Sequence, residues 1–550
     1  MKEKFIIYQV IPRLFGNINR NCVPDGSYHV NGSGKFSAFD KNILKSIREL
    51  GCSYIWMTGV LEHATTTTFP GIGLEGEDLC IVKGKAGSPY AIKDYYDVSP
   101  ELAEVPALRK EEFSELITRA KQEHLKIIID FVPNHLSRAY FSDSKPDGVE
   151  DFGSRDNFSC SFDPQNNFYY IPGEAFISPH KGGCKRFVES PAKATGNDCF
   201  LANPSVNDWY ETVKLNYGVD YINSGNKYFN PVPDTWNKMI DILLHWCGKG
   251  VGGFRCDMAE MVPPEFWQMA LKTVKNRYPE VIFIAEIYNR DLYRVFTDAG
   301  FDYLYDKSGL YDTLRMVLSG IAPASAITGC WQRVEGIGNK MLNFMENHDE
   351  QRIASDFFLG DPFCVLPALV VSLLMSNSPF LIYFGQELGE RGMDSEGFST
   401  IDGKTSIFDY WSLSSIREWI GSGIDPEIRR LYKRILNLSI SEPSLSRGKF
   451  YDLEYANISN PFYDTTRQYS FLRGETGEVI LVISNFSADP ESVKVNIPAE
   501  AFSYFGVTPR NNLQGEDLLS GETIELTDSS GEFIKFTIKG SGARIIKLLL

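Results

Sequence analysis

The sequence predicts an α/β protein: a (β/α)8 TIM barrel with an inserted domain B after the third strand and a C-terminal all-β sandwich domain. Short apolar runs alternate with segments of helical spacing, about eight of each, which is the pattern of such a barrel. After the third run, a stretch of about a hundred residues has little periodicity and is too long for a simple loop. The last part of the chain contains strand-like runs separated by Asn-, Gly- and Ser-rich turns.

The apolar runs give the barrel strands in chain order. We expect them at residues 5–10, 52–57, 126–131, 251–256, 281–285, 301–305, 341–345 and 380–384. Amphipathic spacing and start signals place helices at 39–50, 108–125, from 234, 264–276, 291–298, 310–319, 362–376 and 426–438. The resulting division is barrel at 1–135 and 233–440, domain B at 136–232 and the C-terminal domain at 441–550.

Composition narrows the classes of function. Hydrophobic residues make up 43% and charged residues 23%, as in ordinary globular proteins. The net charge of -16, with no basic block, excludes a nucleic-acid partner and fits a neutral substrate. The longest apolar run, 365–375, is too short for a membrane span. The 27 Tyr and 8 Trp favour either a surface that stacks on sugar-like ligands or a core rich in aromatic rings.

The ten cysteines show neither a CxxC pair nor zinc-ligand spacing. Cys52, Cys247 and Cys256 stand in apolar runs and read as small buried hydrophobes. We interpret this as a reducing compartment. The N-terminal apolar run is short, and no small-residue cleavage site follows it, so we expect a cytoplasmic protein.

Charged residues follow the predicted strands where each one ends. Arg255 and Asp257 are two residues apart on one strand and therefore face the same side. Asp130 with His135, Glu286, and His348 with Asp349 end three other runs. Because barrel active sites lie at the carboxyl ends of the strands, we expect these side chains to share one cavity.

Separated carboxylates in one cavity suit cleavage of a glycosidic bond, in which one acid protonates the leaving oxygen and one carboxylate attacks the anomeric carbon. Two alternatives stay open at this point. Arg255 and Asp257 alone could be a structural ion pair. Two His with three carboxylates could also ligate zinc or manganese, although no short His-x-x-x-His or Asp-x-Asp spacing supports it.

The chain resembles glycoside hydrolase family 13, the α-amylase family, over nearly its whole length. Four ordered blocks carry the resemblance: Asp130-Phe-Val-Pro-Asn-His135, Gly253-Phe-Arg-Cys-Asp257, Ala285-Glu286 and Asn347-His-Asp-Glu-Gln-Arg352. Each block is weak alone, but four in order at the ends of barrel strands are a strong signal.

The resemblance implies three catalytic roles: Asp257 as nucleophile, Glu286 as general acid/base and Asp349 as stabiliser of the oxocarbenium-like sugar. It implies that the substrate-binding residues include Tyr90, Asp94, Asp130, His135, Arg255, His348 and Arg352, with Tyr90 stacking on the sugar and Arg352 pairing with Asp349. The physical requirements agree. Glu286 needs a pKa raised by burial, and Asp257 has to stay ionised beside Arg255.

Two departures concern the substrate. Starch-cleaving members often carry Lys-His three and four residues after the nucleophile, where this chain has Glu260-Met261. The family's Pro-Asp-Leu block of domain B is replaced by Phe200-Leu-Ala-Asn-Pro-Ser-Val. The departure at Glu260-Met261 leaves open the acceptor subsites and, with them, long-chain starch as a substrate.

Calcium is the one cofactor that the resemblance suggests, and no organic cofactor is expected. Asn134 matches the family's asparagine that bridges the barrel to domain B through calcium, and it could equally be a hydrogen-bonding strand end. The loop 17–34, with Asp25-Gly26, is a second candidate for calcium.

The predicted function is that of a retaining hydrolase of α-glucosidic bonds, most of all α-1,4 bonds, in starch-derived glucans or maltooligosaccharides. An α-glucan transglycosylase or isomerase on the same scaffold is the alternative within enzymes. A non-catalytic carbohydrate-binding protein is the alternative from another class, and the complete acid triad argues against it.

Overall fold

The computed structural model describes residues 4–223, 225–392, 395–398, 401–475 and 477–550. Its centre is a closed barrel of eight parallel strands, each paired to its neighbour in chain order. The strands are β1 (Ile6–Val10), β2 (Tyr54–Met57), β3 (Lys126–Phe131), β4 (Gly253–Cys256), β5 (Ile282–Ala285), β6 (Tyr303–Tyr305), β7 (Met341–Phe344) and β8 (Phe380–Tyr383). The predicted fold class is confirmed, and each predicted strand lies within two residues of an observed one.

A principal helix follows each strand. These are α1 (Lys41–Glu49), α2 (Arg109–Gln122), α3 (Asp234–Gly248), α4 (Pro264–Arg277), α5 (Tyr293–Ala299), α6 (Asp312–Leu318), α7 (Leu366–Leu374) and α8 (Glu427–Ser441). Two further helices, Ala326–Arg333 and Ser414–Ser422, lie within the long segments after α6 and before α8. The apolar faces of the eight principal helices cover the outside of the barrel, as the 3.6-residue spacing predicts.

The register of the barrel places the charged residues side by side. In the pairing of β4 with β3, Arg255 lies opposite Asp130. In the pairing of β4 with β5, Cys256 lies opposite Ala285, so Asp257 and Glu286 both come one residue after their strands. The carboxyl ends of these three strands therefore deliver their charges to the same edge.

The segment between β3 and α3 forms the inserted domain predicted from its lack of periodicity. Two short antiparallel pairs organise it: His135–Ser137 with Thr212–Lys214, and Tyr170–Ile171 with Ala192–Lys193. The rest of this segment consists mainly of turns held by side-chain hydrogen bonds, which explains why hydrophobic periodicity could not resolve it.

A disulfide joins Cys80, in the segment after β2, to Cys184 of the inserted domain. The interpretation of the cysteines as uniformly reduced is therefore wrong. The pairing could not be predicted because the two cysteines are 104 residues apart in the sequence. Cys52, Cys247 and Cys256 are buried free thiols, as expected. No helix in the described ranges combines the length and the apolar character needed to cross a bilayer.

The C-terminal domain is an antiparallel sheet backed by a smaller one. Its six-stranded sheet has the spatial order Lys449–Asp452, Gln468–Glu475, Glu478–Asn485, Gly542–Leu549, Gln514–Asp517 and Thr523–Glu525. Glu491–Val493 pairs with Phe536–Ile538 in a separate two-stranded sheet. The strands at 449–452 and 514–517 give little sequence signal, because one is only partly buried and the other, Gln-Gly-Glu-Asp, is polar.

Helix α7 lies between the barrel and the C-terminal sheet. Each of its residues from Pro367 to Leu374 is buried. Arg473, from the sheet, donates to the carbonyl of Leu374 at 3.0 Å, and Lys4 donates to the carbonyl of Ser376 at 2.9 Å. Cations at a helix C-terminus satisfy unpaired carbonyls and oppose the helix dipole. The two domains therefore share one apolar helix and its cap.

Candidate active site

Arg255 is the centre of the charged cluster at the carboxyl end of the barrel. One terminal nitrogen lies 2.6 Å from Asp257 and 3.4 Å from Asp130, and the other lies 2.6 Å from Glu286. Its Nε donates to the hydroxyl of Tyr305 at 3.2 Å. The side chain is 1% exposed, so the ion pairs are essential to offset its desolvation. A single guanidinium thus fixes Asp257 and Glu286 relative to each other.

Glu286 has the surroundings of a general acid. Burial, reinforced by the charges of Asp257 and Asp349 and opposed by Arg255, raises the pKa of Glu286 to about 8. Its two oxygens accept from the backbone N–H of Met258 at 2.7 Å and from the Tyr288 hydroxyl at 2.9 Å. A carboxyl group that holds its proton at neutral pH can donate it to a leaving group.

The two histidines are neutral for the same reason. Burial lowers the pKa of His135 to about 4 and holds the pKa of His348 well below its usual range. The amide of Gln9 donates to Nδ1 of His348 at 2.8 Å, which leaves the Nε2 hydrogen facing Tyr90 and Asp349. His348 therefore presents a hydrogen-bond donor on the side of the cluster.

A cavity of about 340 Å³ opens over this cluster. Its wall contains the three predicted catalytic carboxylates together with four of the predicted substrate-binding residues: Asp257, Glu286, Asp349, Tyr90, His135, Arg255 and His348. The Asp349 side chain is 39% exposed, in contrast to the nearly buried side chains of Asp257 and Glu286. The structure therefore brings together most of the residues that the four blocks nominated.

Three nominated residues lie outside the cavity wall. Asp130 lies behind Arg255, and burial raises its pKa to about 7. Asp94 accepts from Tyr96, Ser142 and Ser144, and so it anchors the start of the inserted domain.

Arg352 differs most from expectation. It bonds Glu346 at 3.0 Å and the Phe384 carbonyl at 2.8 Å. The expected pair with Asp349 is wrong because the buried Glu346, two residues after the end of β7, already binds the guanidinium.

Several wall residues were not nominated. Trp209, from the inserted domain, lies with its ring centroid 5.1 Å from that of His135. Tyr288, two residues after Glu286, donates a hydrogen bond to the Glu286 carboxyl group, and its proximity in sequence is a signal that could have identified it. Lys83 and Glu211 form an ion pair of 3.1 Å across the wall, and their distance in sequence gave no such signal.

Glu260, which replaces the family's basic pair, does not line the cavity. Its carboxylate accepts from the backbone N–H groups of Tyr288 and Asn289, at 3.2 and 2.9 Å. The residue therefore holds the turn that presents Tyr288.

The residues around Asn134 do not fit a calcium ion. Its side-chain oxygen accepts from the Lys214 ammonium at 2.9 Å, and the same ammonium lies 2.6 Å from Asp198. A divalent cation requires several free oxygens, and these two already bind a positive charge. In the loop 17–34, Asp25 is exposed, and its carboxylate lies 3.6 Å from the Lys85 ammonium, so it too already faces a positive charge.

Within the described part of the chain, four carboxylates lie close enough together to hold a cation: Glu62, Asp94, Asp97 and Asp143. Two of them already have strong donors. Asp97 is bound by Arg109 through both of its oxygens, and Asp94 accepts three hydrogen bonds. Burial raises the pKa of Glu62 to about 8.

The barrel and its carboxylate-lined cavity define a glycosidase of the (β/α)8 class. Residues 9–410 match the family model described as the alpha amylase catalytic domain, so the chain belongs to the α-amylase family and is a glycoside hydrolase of that type. It is 22% identical to Alpha-amylase 3 of Dictyoglomus thermophilum, covering 81% of this chain and 78% of that protein. It is 24% identical to the α-1,4-glucan:maltose-1-phosphate maltosyltransferase of Rhodospirillum rubrum, covering 54% and 40%.

Among solved structures, the chain is similar to the noncanonic maltogenic alpha-amylase AmyB from Thermotoga neapolitana. The TM-score is 0.64, the sequence identity is 19%, and 99% of each chain is covered. At this identity the similarity shows the shared fold, including the C-terminal β domain.

Proposed function

We propose that the protein hydrolyses α-1,4-glucosidic bonds in maltooligosaccharides or starch-derived glucans, with retention of the anomeric configuration. The observation that carries the proposal is the joint binding of Asp257 and Glu286 by the two terminal nitrogens of Arg255. A retaining enzyme requires its two carboxyl groups about 5–5.5 Å apart, closer than in an inverting enzyme, and one guanidinium spanning both keeps them close.

In the proposed reaction, Asp257 attacks the anomeric carbon while Glu286 protonates the leaving oxygen, giving a covalent glycosyl-enzyme and a shortened glucan. Glu286 then takes a proton from water, which displaces Asp257 and releases the sugar. Asp349 stabilises positive charge on the ring. Tyr90, His135 and His348 contact the sugar bound in the cavity.

The test is stereochemical. Fresh hydrolysis of maltotriose, followed by proton NMR before mutarotation, should show the α-anomer first, because two displacements restore the starting configuration. Early β-anomer would mean inversion, and the assignment of Asp257 as nucleophile would have to be withdrawn. Hydrolysis by the Asp257→Asn variant, measured in parallel, gives the background rate.

Transfer to another sugar is the second candidate, since a glycosyl-enzyme reacts with any hydroxyl that reaches it. One relative, from Rhodospirillum rubrum, is named as a maltosyltransferase. Product analysis on maltooligosaccharides separates the possibilities: shorter sugars indicate hydrolysis, rearranged or longer sugars indicate transfer, and an unchanged mixture indicates a carbohydrate-binding protein without activity.

A further inference from the structure

Lys214 places a buried positive charge where the barrel meets the inserted domain. Its side chain is 1% exposed, and its ammonium lies 2.6 Å from Asp198 and 2.9 Å from the amide oxygen of Asn134. The ring centroid of Tyr221 lies 5.1 Å away. A buried ammonium is costly unless paired and hydrogen-bonded, and here one carboxylate and one amide supply both.

The three polar groups belong to three different segments. Asn134 follows β3 of the barrel, Asp198 belongs to a loop of the inserted domain, and Lys214 ends the short strand Thr212–Lys214. In that strand's pairing, Lys214 lies opposite His135. The ammonium therefore links the segment after β3 to the inserted domain, as a bound metal ion does when its ligands come from different parts of a fold.

Asn134 extends this link to the active-site cavity. Its amide nitrogen donates to the carbonyl of Gly196 at 2.8 Å and lies 3.2 Å from Nδ1 of His135. With Nδ1 accepting, the neutral imidazole carries its hydrogen on Nε2, which is 4.0 Å from Asp257. A lysine that fixes the oxygen of Asn134 thereby fixes the direction of its nitrogen and the orientation of His135.

Gly196 shows how tightly this region packs. A Cβ at this position would lie 2.8 Å from Cβ of His135 and 2.7 Å from the Thr212 hydroxyl. Only glycine allows the loop this close approach. Loss of the Lys214 link would free the loop and the imidazole together.

We propose that Lys214 is the internal cation that joins the inserted domain to the barrel in place of a metal ion, and that it positions His135 through Asn134. The role of His135 in sugar binding rests on the proposed function; the replacement of a metal by the lysine does not. Lys214 is accordingly a positioning residue, since it acts through two neighbours.

The first test uses the unmodified protein. Its melting temperature and its kcat/KM on maltotriose should stay the same with excess EDTA and with millimolar CaCl2, because the ammonium already occupies the oxygens that calcium would need. A fall in melting temperature with EDTA that CaCl2 restores, and that persists in the Asp143→Asn variant, would overturn the proposal, because a cation bound by Glu62, Asp94, Asp97 and Asp143 would be weakened in that variant. The measurement of the melting temperature does not depend on the identity of the substrate.

The second test removes the charge. Lys214→Met keeps the aliphatic length but loses the ammonium, so it should lower the melting temperature by several degrees and kcat/KM by about 10–100-fold. Lys214→Arg should recover much of both. Lys193→Met is the matched control: Lys193 also lies in the inserted domain, but it is 3.8 Å from its partner Glu189 and 23% exposed. Equal effects of Lys214→Met and Lys193→Met would overturn the proposal.

The third test separates positioning from stability. In a His135→Ala background, Lys214→Met should cost little further kcat/KM while still lowering the melting temperature, because its effect on turnover passes through His135. Additive losses would contradict this route. If Lys214→Met does not fold, Asp198→Asn removes the partner charge at a side chain that is 44% exposed, and the same coupling with His135→Ala is expected.

Discussion

Single residues at the carboxyl end of the barrel decide the chemistry, and Arg255 decides how they are arranged. One of its terminal nitrogens lies 2.6 Å from Asp257, and the other lies 2.6 Å from Glu286. Burial holds the proton on Glu286, which is what distinguishes an acid from a nucleophile in one cavity.

Asp257→Asn should keep the fold and lower kcat on the order of 10⁴-fold, because the amide cannot form the covalent intermediate. The asparagine keeps a hydrogen-bonding oxygen for Arg255 but removes one charged partner of a buried guanidinium, so the melting temperature should fall while the protein stays folded. Asp302→Asn is the control, since Asp302 pairs with Lys275 at 2.7 Å and does not line the cavity. Turnover close to normal in a folded Asp257→Asn protein would exclude Asp257 as the nucleophile.

The pKa of Glu286 predicts the alkaline side of the pH profile. Below about pH 8 the carboxyl group is protonated and can act as an acid; above it the proton is lost, so kcat/KM on maltotriose should fall with an apparent pKa near 8. Circular dichroism at each pH shows whether the protein stays folded. A kcat/KM that stays flat to pH 9.5 in folded protein would assign the acid to another residue.

Residues nominated from sequence were found where a chemical type coincided with a strand end. Asp257, Glu286 and His348 satisfied both conditions, and they line one cavity. Arg352 was given the wrong partner because Glu346, the buried acid that it binds, stands just before the block Asn347–Arg352 that carried the resemblance. The cation opposite Asn134 could not be predicted, because Lys214 is remote in sequence and only the β-pairing brings it there.

At the scale of secondary structure, the barrel was predictable because each strand and helix satisfies its hydrophobic period locally. The strand at Lys126–Phe131 coincides with its predicted bounds, and α4 differs by one residue. The inserted domain could be predicted only from the lack of hydrophobic periodicity in its sequence. Its turns depend on pairings such as Arg138 with Glu189 that no local pattern encodes.

The disulfide between Cys80 and Cys184 links the irregular inserted domain to the segment after β2. Cys80→Ser with Cys184→Ser should lower the free energy of unfolding by about 2–5 kcal/mol, since the bond closes a long loop of the unfolded chain. Thermal unfolding of the double variant, beside Cys160→Ser as a free-cysteine control, measures the loss. Thiol titration of the protein without substitutions, unfolded in the absence of reductant, should find eight free thiols. Ten free thiols would show that the disulfide does not form.

At the scale of the whole molecule, three parts of the chain meet at two junctions. The inserted domain supplies Trp209 and Glu211 to the cavity, so the site is complete only with that domain in place. The C-terminal sheet packs against the face of α7 that points away from the barrel. Both extra regions could be recognised as units from the sequence. The contacts at the two junctions could not be predicted, because they join residues that are far apart in the chain.

Helix α7 determines what happens if the C-terminal sheet is cut away. One face of this helix packs on the barrel and the other is covered by the sheet, where Ser484 donates to the carbonyl of Pro367 at 2.9 Å. A truncated chain would leave leucine and valine side chains in contact with water and the last carbonyls of the helix without Arg473. The barrel would therefore expose apolar surface without a domain whose described residues do not line the cavity.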